Sequence, residues 1–364
     1  MEYIFDEVLE IKNGKNQREV ENPEGQYPIY GSGGVMGYAD EYICDADTVI
    51  IGRKGSINNP IFVTEPFWNV DTAFGLSARR DVLLPRYLFY FCKKFDFERL
   101  NKTVTIPSLA KADLLKIKIK LPTIDKQQEI IDKLIKIESV TELRKRELLA
   151  LDNLIKARFV DMFGNIATGQ YKYETRRMGE VAKVGSSHRV FTTEFVDDGI
   201  PFYRGTEIGE LANGQKPSEP YYISEEHYKR LANDDTRPKV GDLLIPSICN
   251  KGQVWMVDTE EPFYYKDGRV LCISPNREIY DSRYLQYFMR VKTEVEYPKI
   301  GSGSTFSEFK IFLLKDFEVL TPPRDIQEEF SSFVEQVNKS KVAVQKALTE
   351  TQLLFDSLMQ QYFG

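Results

Sequence analysis

Histidine and cysteine, which often act as metal ligands, nucleophiles or general bases, are scarce in this sequence. The 364 residues include 2 histidines, His188 and His227, and 4 cysteines. No two cysteines form a C-x-x-C pair, so neither a zinc site nor a disulfide framework is indicated, and the thiols are predicted to be reduced core residues. With only two histidines, a histidine-ligated metal site or a catalytic triad is therefore disfavoured.

Long apolar runs are also missing. No stretch approaches the ~20 apolar residues that a membrane-spanning helix needs, and the N-terminal MEYIFDEVLE is acidic where a signal peptide would be basic. These features predict a cytoplasmic protein without a membrane segment. The hydrophobic content of 42% is enough for two domains with separate cores. Because the net charge is −6, nucleic-acid binding would require clustered Lys and Arg on otherwise neutral domains.

Motifs for nucleotide, metal and cofactor chemistry are incomplete. The stretch IYGSGGVMGY at 29–38 lacks the Lys-Ser/Thr of a P-loop and the third Gly of G-x-G-x-x-G. Glu10 and Lys12 are spaced as in metal-dependent nucleases, but no separate carboxylate is available to complete a metal site. NNPIF at 58–62 misses the second proline of the N-P-P-[YF] motif of amino-methyltransferases. No catalytic, cofactor-binding or metal-binding residue is predicted.

The sequence does contain a long internal repeat. LPTIDKQQEI at 121–130 and TPPRDIQEEF at 321–330 share Pro, Asp, Gln and Glu at an offset of 200 residues. The same offset joins Gly164 to Gly364, at the ends of FVDMFG and MQQYFG. Upstream, RYLFYF corresponds to RYLQYF, and ADTVIIGRKGS to GDLLIPSICNKG. A repeat of this length predicts two equivalent halves, each a variable domain followed by one long helix.

Each long helix carries an apolar stripe with the 4-3 spacing of a heptad repeat, which predicts that the two helices pair as a coiled coil about 58 Å long. Thr141, Arg144 and Lys341 interrupt the stripe and are expected to fix its register. The alternative, in which each helix packs on its own domain, stays open. The first stripe is Ile130, Leu134, Ile137, Thr141, Arg144, Leu148, Leu151, Ile155 and Arg158. The second is Phe330, Val334, Val337, Lys341, Val344, Leu348, Thr351, Phe355 and Leu358.

The starts of the two helices are predicted from capping residues. Asp125 and Asp325 are expected at the N-cap positions, with Gln128 and Glu328 three residues later as capping-box partners. The variable domains differ in kind, because short β-branched runs such as TVIIG and RVLCIS alternate with Gly, Asn and Pro turns and a few shorter helical patterns.

These patterns predict a mixed α/β fold with an internal pseudo-two-fold repeat. The predicted parts are a first domain, a central spacer helix, a second domain and a C-terminal spacer helix, at 1–122, 123–164, 165–322 and 323–364. The chain reaches FDEVLEIKNG almost at once, whereas the second copy has the lead-in YKYETRRMGEVAKVG. The first domain is therefore expected to lack an edge segment.

Several loops combine small residues with Lys, Arg and aromatic residues, a mixture suited to DNA. Gly allows close approach of the backbone, Ser and Thr hold phosphates, and Arg, Lys and Asn can read base edges. Lys54-Gly55 and Lys251-Gly252 recur in both copies, which favours a function for these two turns. The candidate DNA-binding residues are Tyr30, Ser32, Arg53, Lys54, Ser56, Trp68, Lys102, Thr103, Ser187, Arg189, Tyr203, Arg204, Asn250, Lys251, Ser302 and Ser304.

The two Pro-x-x-Asp-x-Gln-x-Glu motifs, each opening a long helix that ends in Phe-Gly, resemble the DNA-specificity subunit of type I restriction-modification systems. The resemblance covers essentially the whole chain. It implies two target-recognition domains that each read half of a split sequence in double-stranded DNA, with the helices paired antiparallel as a spacer. It also implies a non-catalytic chain that docks two modification (methyltransferase) subunits, which carry the S-adenosylmethionine, and a restriction (motor and nuclease) subunit in the full complex.

The symmetry of DNA favours the same arrangement independently, because two equivalent modules that approach opposite strands of a duplex should be related by a two-fold axis. One alternative is a DNA adenine methyltransferase with its own recognition domain, which the missing S-adenosylmethionine and N-P-P-[YF] motifs disfavour. Another is a structural coiled-coil adaptor, which the two elaborate domains disfavour.

Overall fold

The chain folds into two compact units that share the long helices. The first unit consists of residues 1–148 and 343–364, and the second unit of residues 149–342. Each unit thus combines one variable domain with part of both long helices. The structure, a computed structural model, describes residues 1–103, 105–234, 236–249, 251–300 and 307–364.

The first unit is built on a sheet with strand order β2-β8-β5-β6, beside a smaller sheet β4-β3-β7 and a two-stranded ladder β1-β9. Strand β5 is buried along its whole length, as its continuous apolar sequence TVIIG predicts. In chain order the elements are β1 (Glu2–Ile4), α1 (Phe5–Val8), β2 (Leu9–Asn13), β3 (Tyr27–Gly31), β4 (Gly34–Ala39), β5 (Thr48–Gly52), β6 (Ile61–Val63), β7 (Trp68–Asn69), β8 (Ala73–Ala78), α2 (Pro85–Lys94), a 3₁₀ turn (Phe97–Leu100), α3 (Lys111–Leu114), β9 (Lys118–Lys120) and the start of α4 (Ile124–Phe163).

The second unit repeats this plan with a sheet β13-β20-β17-β18, a second sheet β14-β16-β15-β19, and the ladders β12-β21 and β10-β11. After the end of α4 its elements are β10 (Gly164–Asn165), β11 (Gln170–Tyr171), β12 (Thr175–Arg177), α5 (Met178–Val181), β13 (Ala182–Gly185), a 3₁₀ turn (Thr192–Glu194), β14 (Phe195–Val196), β15 (Ile200–Tyr203), α6 (Gly205–Ala212), β16 (Tyr221–Ile223), α7 (Glu225–Leu231), β17 (Leu243–Pro246), β18 (Trp255–Met256), β19 (Tyr264–Tyr265), β20 (Val270–Pro275), α8 (Ser282–Glu296), a 3₁₀ turn (Tyr297–Lys299), α9 (Ile311–Asp316), β21 (Glu318–Leu320) and the start of α10 (Arg324–Phe363).

The strand pairing confirms the mixed α/β fold and the internal repeat. In each unit one parallel strand pair, β3-β7 or β15-β19, stands among antiparallel pairs. The opening strand β1 pairs with β9 over three residues, as β12 pairs with β21. Glu2–Ile4 thus form the strand that corresponds to Thr175–Arg177, which in the second copy lies within the lead-in.

The glutamine of the repeated motif joins the long helix to its domain. Gln127 is 0% exposed, and its Oε1 accepts the Leu84 N–H at the start of α2 at 2.9 Å. Its Nε2 donates to the carbonyl oxygens of Val82 at 2.9 Å and Pro122 at 3.1 Å. A buried amide that uses both its donor and its acceptor can be replaced by no other side chain without losing a bond.

The second copy reproduces this arrangement. Gln327, also 0% exposed, accepts the Asp281 N–H at the start of α8 at 2.9 Å. Its Nε2 donates to the carbonyls of Ile279 at 2.9 Å and Pro322 at 2.8 Å. The motif is thus a structural device that fixes where each long helix leaves its domain.

The predicted N-caps were wrong by two residues. Because α4 begins at Ile124 and α10 at Arg324, Asp125 and Asp325 lie inside the first turn, where a carboxylate still interacts favourably with the helix dipole. Nor do the predicted capping-box partners reach back to a cap. Gln128 donates to Asp132 at 2.7 Å, and Glu328 accepts from Arg324 at 2.8 Å. The buried glutamines, rather than these polar residues, tie the helix starts to the domains.

In the first unit the two long helices run antiparallel. Ile130 and Leu134 of α4 share a core with Phe355 and Met359 of α10. Further along α4, Arg144 donates through Nη1 to the carbonyl of Ala347 and to the hydroxyl of Thr351, which lie nearer the start of α10.

In the second unit the order is the same. Asp152 accepts from Lys341 at 2.6 Å, and the ring of Phe159 lies 5.4 Å from that of Phe330. All residues of both predicted stripes are buried or half-buried, which confirms the coiled-coil stripe. Arg144 and Lys341, predicted to fix the register, both make polar contacts across the pair.

The Phe-Gly ending of each copy is also explained by packing. The ring of Phe163, at the end of α4, lies 4.8 Å from that of Tyr284 in the second unit. Phe363, at the end of α10, lies 4.9 Å from Tyr87 in the first unit. Gly164 has φ +94, and a Cβ there would lie 2.0 Å from the Gln170 carbonyl oxygen, so only glycine fits. Each long helix therefore starts in one unit and ends in the other.

Candidate nucleic-acid interface

In the first unit, two predicted DNA-binding loops meet beyond the end of β5. The Leu109 N–H donates to the Arg53 carbonyl at 2.9 Å, and the Gly55 N–H to the Pro107 carbonyl at 3.0 Å. These bonds hold residues 107–109 beside residues 53–55, at one side of a cavity of ≈ 490 Å³. The cavity is lined by Asn13, Arg53, Phe74, Leu100, Lys102, Thr103, Ser108, Leu109, Ala110, Lys111 and Asp113.

The cations of this cavity remain largely exposed. The Arg53 guanidinium lies 5.8 Å from the centroid of the Phe74 ring, within the range of a cation–π contact. Lys102 pairs with Asp113 at 2.6 Å but its side chain is 74% exposed. Thr103 donates to Asn101 Oδ1 at 2.8 Å and so stabilises its own loop. Of the predicted residues, the fold therefore brings Arg53, Lys102 and Thr103 into one basic cavity.

The turn after β3 contributes small polar residues near the same strand end. A Cβ added to Gly52, the last residue of β5, would lie 2.4 Å from the Ser56 carbonyl oxygen and 3.1 Å from Ser32 Cβ. Glycine at this position thus allows Ser32 and Ser56 to approach each other. Both are candidates that the fold brings together.

The two aromatic candidates of the first unit are less available. Tyr30 packs edge-on against Phe67 with ring centroids 5.4 Å apart, and burial raises the pKa of its hydroxyl. Trp68 is 6% exposed, and its Nε1 donates to the Lys15 carbonyl at 3.1 Å. The prediction that Trp68 faces DNA was wrong, because its indole is a hydrogen-bonded part of the core.

The two Lys-Gly turns have the same geometry. Gly55 has φ +82 and Gly252 has φ +63, a region that glycine adopts without strain. In both turns the residue two positions after the glycine donates its N–H to the glycine carbonyl at 2.9 Å. Lys54 and Lys251 precede these glycines and are exposed. Their contact with DNA stays a prediction that this shared geometry favours.

In the second unit, the predicted loop at 185–189 is tied to the end of β19 and to the turn that follows it. Ser187 Oγ donates to the Tyr265 carbonyl at 2.6 Å, and Arg189 Nε to Asp267 at 3.2 Å. Tyr203 stacks on Phe263 with centroids 5.2 Å apart. Ser187 therefore holds the loop in place, whereas Arg189 stays on the surface. The remaining candidates Asn250, Ser302 and Ser304 lie outside the described residues.

The second unit also has a basic cavity, of ≈ 450 Å³, near the end of β17. The strand junction of the first unit recurs here, because the Phe309 N–H donates to the Ser247 carbonyl at 2.7 Å, as Leu109 does to Arg53. The predicted Arg204 is one of its cations. The cavity is lined by Arg204, Gly205, Thr206, Pro246, Ser247, Ile248, Lys266 and Arg269.

Sequence reasoning missed three cations of these cavities, Lys111, Lys266 and Arg269. Lys111 Nζ donates to the Ile11 carbonyl at 2.6 Å. Lys266 pairs with Asp267 at 3.0 Å. Lys111 lies outside the glycine-containing loops, whereas Lys266 and Arg269 flank Gly268 in the turn KDGR, which is the same kind of signal as in the predicted loops. Arg204 is more than 60 residues from this turn, so the sequence alone could not place them in one cavity.

The described residues contain no group of three or more His, Cys, Asp or Glu that could hold a metal ion. The 4 cysteines are buried and unpaired, as predicted. Within the same residues, no helix is long and apolar enough to cross a bilayer.

Comparisons with known sequences agree with this arrangement. A family model described as the type I restriction modification DNA specificity domain matches residues 2–153 and 171–351. A Haemophilus influenzae protein named as a type I restriction enzyme specificity subunit, S.HindORF215P, is 23% identical over 351 residues, or 91% of this chain and 86% of that protein. The MjaIX specificity subunit of Methanocaldococcus jannaschii is 23% identical over 338 residues, covering 85% and 73%.

Solved structures share the fold. The S subunit of the type I restriction-modification system from M. genitalium superposes with a TM-score of 0.63 at 16% identity, covering 100% of this chain and 96% of that one. A chain from a structure concerned with complex assembly of the type I system also gives a TM-score of 0.63 at 16% identity, with 97% of that chain covered. Because the family model matches both halves of the repeat, this chain belongs to the type I restriction modification DNA specificity domain family.

Proposed function

We propose that this chain reads a bipartite DNA target, with each unit reading one half. The observation that carries the proposal is the repeated construction of the two units. Each has its own core, the same sheet order and a basic cavity beside the end of the equivalent strand, β5 or β17. Two domains that share a strand order but differ in their loop residues can each bind a different half-site, which suits a bipartite target.

We further propose that the long helices set the distance between the half-sites. The antiparallel segments in each unit are held by apolar contacts, and the polar contacts of Arg144 with Thr351 and of Lys341 with Asp152 fix their register. Sliding one helix by a turn would leave these charged groups facing apolar stripe positions, so the helix pair should act as a stiff spacer.

In this proposal the chain supplies recognition without catalysis. Methyl transfer and S-adenosylmethionine belong to two modification subunits that dock on it, and a restriction subunit joins the full complex. The support is the family membership together with the sequence, in which the S-adenosylmethionine and N-P-P-[YF] motifs are missing.

The test measures methylation of a DNA library by the chain alone, by modification subunits alone, and by both together, each with S-adenosylmethionine. We expect methylation only in the combined sample, at sites with two constant parts separated by a constant gap. Replacing residues 165–320 by another recognition domain should change one part and leave the other as it was. Methyl transfer by the purified chain alone, or a continuous target, would contradict the proposal.

A further inference from the structure

The second unit contains a segment, residues 205–220, that has no counterpart in the first. In the first unit β3 turns directly into β4, whereas in the second α6 stands between β15 and β16. The equivalent position is set by the parallel pairs, since the Tyr30 carbonyl accepts from Val70 and the Tyr203 carbonyl accepts from Lys266. Arg204 therefore occupies the place that Gly31 has in the first unit.

Arg204 donates three hydrogen bonds to the carboxylate of Glu207, two of them from its side chain. Glu207 accepts its backbone N–H at 2.7 Å, its Nε–H at 3.1 Å and its Nη2–H at 2.5 Å. The guanidinium also lies 4.3 Å from the centroid of the Tyr221 ring. Burial alone would raise the pKa of Glu207, but the bonds from Arg204 hold it below its usual value. The carboxylate is therefore charged at neutral pH, and one edge and one face of the guanidinium are fixed.

The Arg204 side chain remains partly exposed, although Glu207 holds it. The fork to Glu207 uses Nε and Nη2 and leaves Nη1 outside it. The Arg204 side chain is 37% exposed, whereas that of Glu207 is 2% exposed. Arg204 lines the ≈ 450 Å³ cavity together with Lys266 and Arg269. A fixed guanidinium edge in a basic cavity suits a ligand that offers two adjacent acceptors.

We propose that Arg204 determines specificity in the second unit by reading a guanine of its half-site through O6 and N7, with Glu207 as its positioning residue. The inference rests on the proposed function. A phosphate contact needs no such fixation, and the same cavity already offers Lys266 and Arg269, which are paired with Asp267 and Glu308. A guanidinium held by a buried carboxylate and an aromatic ring loses little further freedom on binding, so it discriminates by geometry. Because Gly31 stands at the equivalent place, the first unit should lack this contact.

The experiment uses the chain with its modification subunits and a duplex library randomised in both half-sites, read out by methylation sequencing. We expect the wild type to require guanine at one position of the half-site read by the second unit. Arg204→Lys should reduce discrimination at that position by about 5- to 150-fold, the range for loss of one bidentate base contact. The other half-site should be unchanged. Glu207→Gln should relax the same position, because it weakens the hold on the guanidinium.

Three further variants control for folding and charge. Arg204→Ala would leave Glu207 buried without its partner, so the double variant R204A/E207A, which removes both charges, is compared with it. Arg230, in the same unit and paired with Glu194, has a side chain that is 69% exposed, and Arg230→Lys should leave every base preference unchanged. Thermal unfolding of each variant checks that it is folded.

The outcomes separate this inference from the proposed function. If the wild type selects no split target, the proposed function fails. If it selects one but Arg204→Lys keeps all preferences, or if that half-site contains no guanine, only this inference is overturned. A uniform loss of binding to all sequences would make Arg204 a phosphate anchor and would equally overturn base reading.

Discussion

Lengthening both long helices by four residues should change the gap between the half-sites and leave their bases unchanged. The insertions are placed after Leu148 and after Val342, where the two units divide. The contact of Arg144 with Thr351 lies within the first unit and that of Lys341 with Asp152 within the second. Insertion at these points therefore preserves the contacts that hold each helix pair.

The size of the effect follows from helix geometry. Each long helix has 40 residues, and four more add about 6 Å at ~1.5 Å per residue. Four residues also exceed one turn slightly and shift the stripe by about 40°, a change that coiled coils absorb by local unwinding. At ~3.4 Å per base pair, the preferred gap should grow by one or two base pairs.

Methylation mapping of the doubly extended protein with its modification subunits measures the gap and the bases together. The control extends α4 alone, which forces one helix out of register with the other and should lower both the thermal stability and the methylation. If the double insertion changes the bases read, or if it leaves the gap as it was, the helices are not a spacer and the reasoning is refuted.

Further predictions concern the helix clamp, the Lys-Gly turns and the thiols. Gln127→Ala should lower the free energy of unfolding by about 1–3 kcal/mol, because the half-buried Leu84 N–H loses its acceptor, whereas exposed Gln128→Ala should cost less than about 0.5 kcal/mol; equal effects in urea unfolding would contradict the role of Gln127 in joining the helix to its domain. Lys54→Ala and Lys251→Ala should each weaken binding to all DNA sequences and reduce the salt slope by about one unit, and unchanged slopes in anisotropy titrations would remove both lysines from the interface. Burial raises the pKa of the Cys44 and Cys272 thiols to about 12, so a thiol reagent at pH 8 should modify them quickly only after unfolding; rapid labelling of the native protein would contradict this.

The buried stripes of the long helices could be predicted because their signals are local. Apolar neighbours three and four positions away identify a residue on the buried face of a helix. The burial of Leu134 or Phe355 can therefore be predicted from two turns of sequence. The repeated turns could be predicted for the same reason, because the glycine of each Lys-Gly pair itself marks a position with positive φ.

Other features depend on partners far away in the sequence. From the sequence alone, Gln127 would be taken for an exposed polar residue in the first turn of a helix. Only the folded chain brings Leu84 and Val82 next to it and buries its amide. Trp68 looked like a loop aromatic, but the carbonyl of Lys15 that binds its indole becomes a neighbour only in the folded sheet. Likewise Arg53 and Lys102 were predicted separately, and only the bonds between the two loops put them in one cavity.

The division of the chain into units has a consequence for biosynthesis. The second unit is a continuous segment, 149–342, and it is complete when its last residue leaves the ribosome, whereas the first unit must wait for residues 343–364. The part synthesised first is therefore the part that finishes folding last. A nonsense or frameshift mutation just before Ala343 would remove Phe355 and Met359 from the core of the N-terminal unit, while the unit encoded nearest the mutation would keep all of its residues.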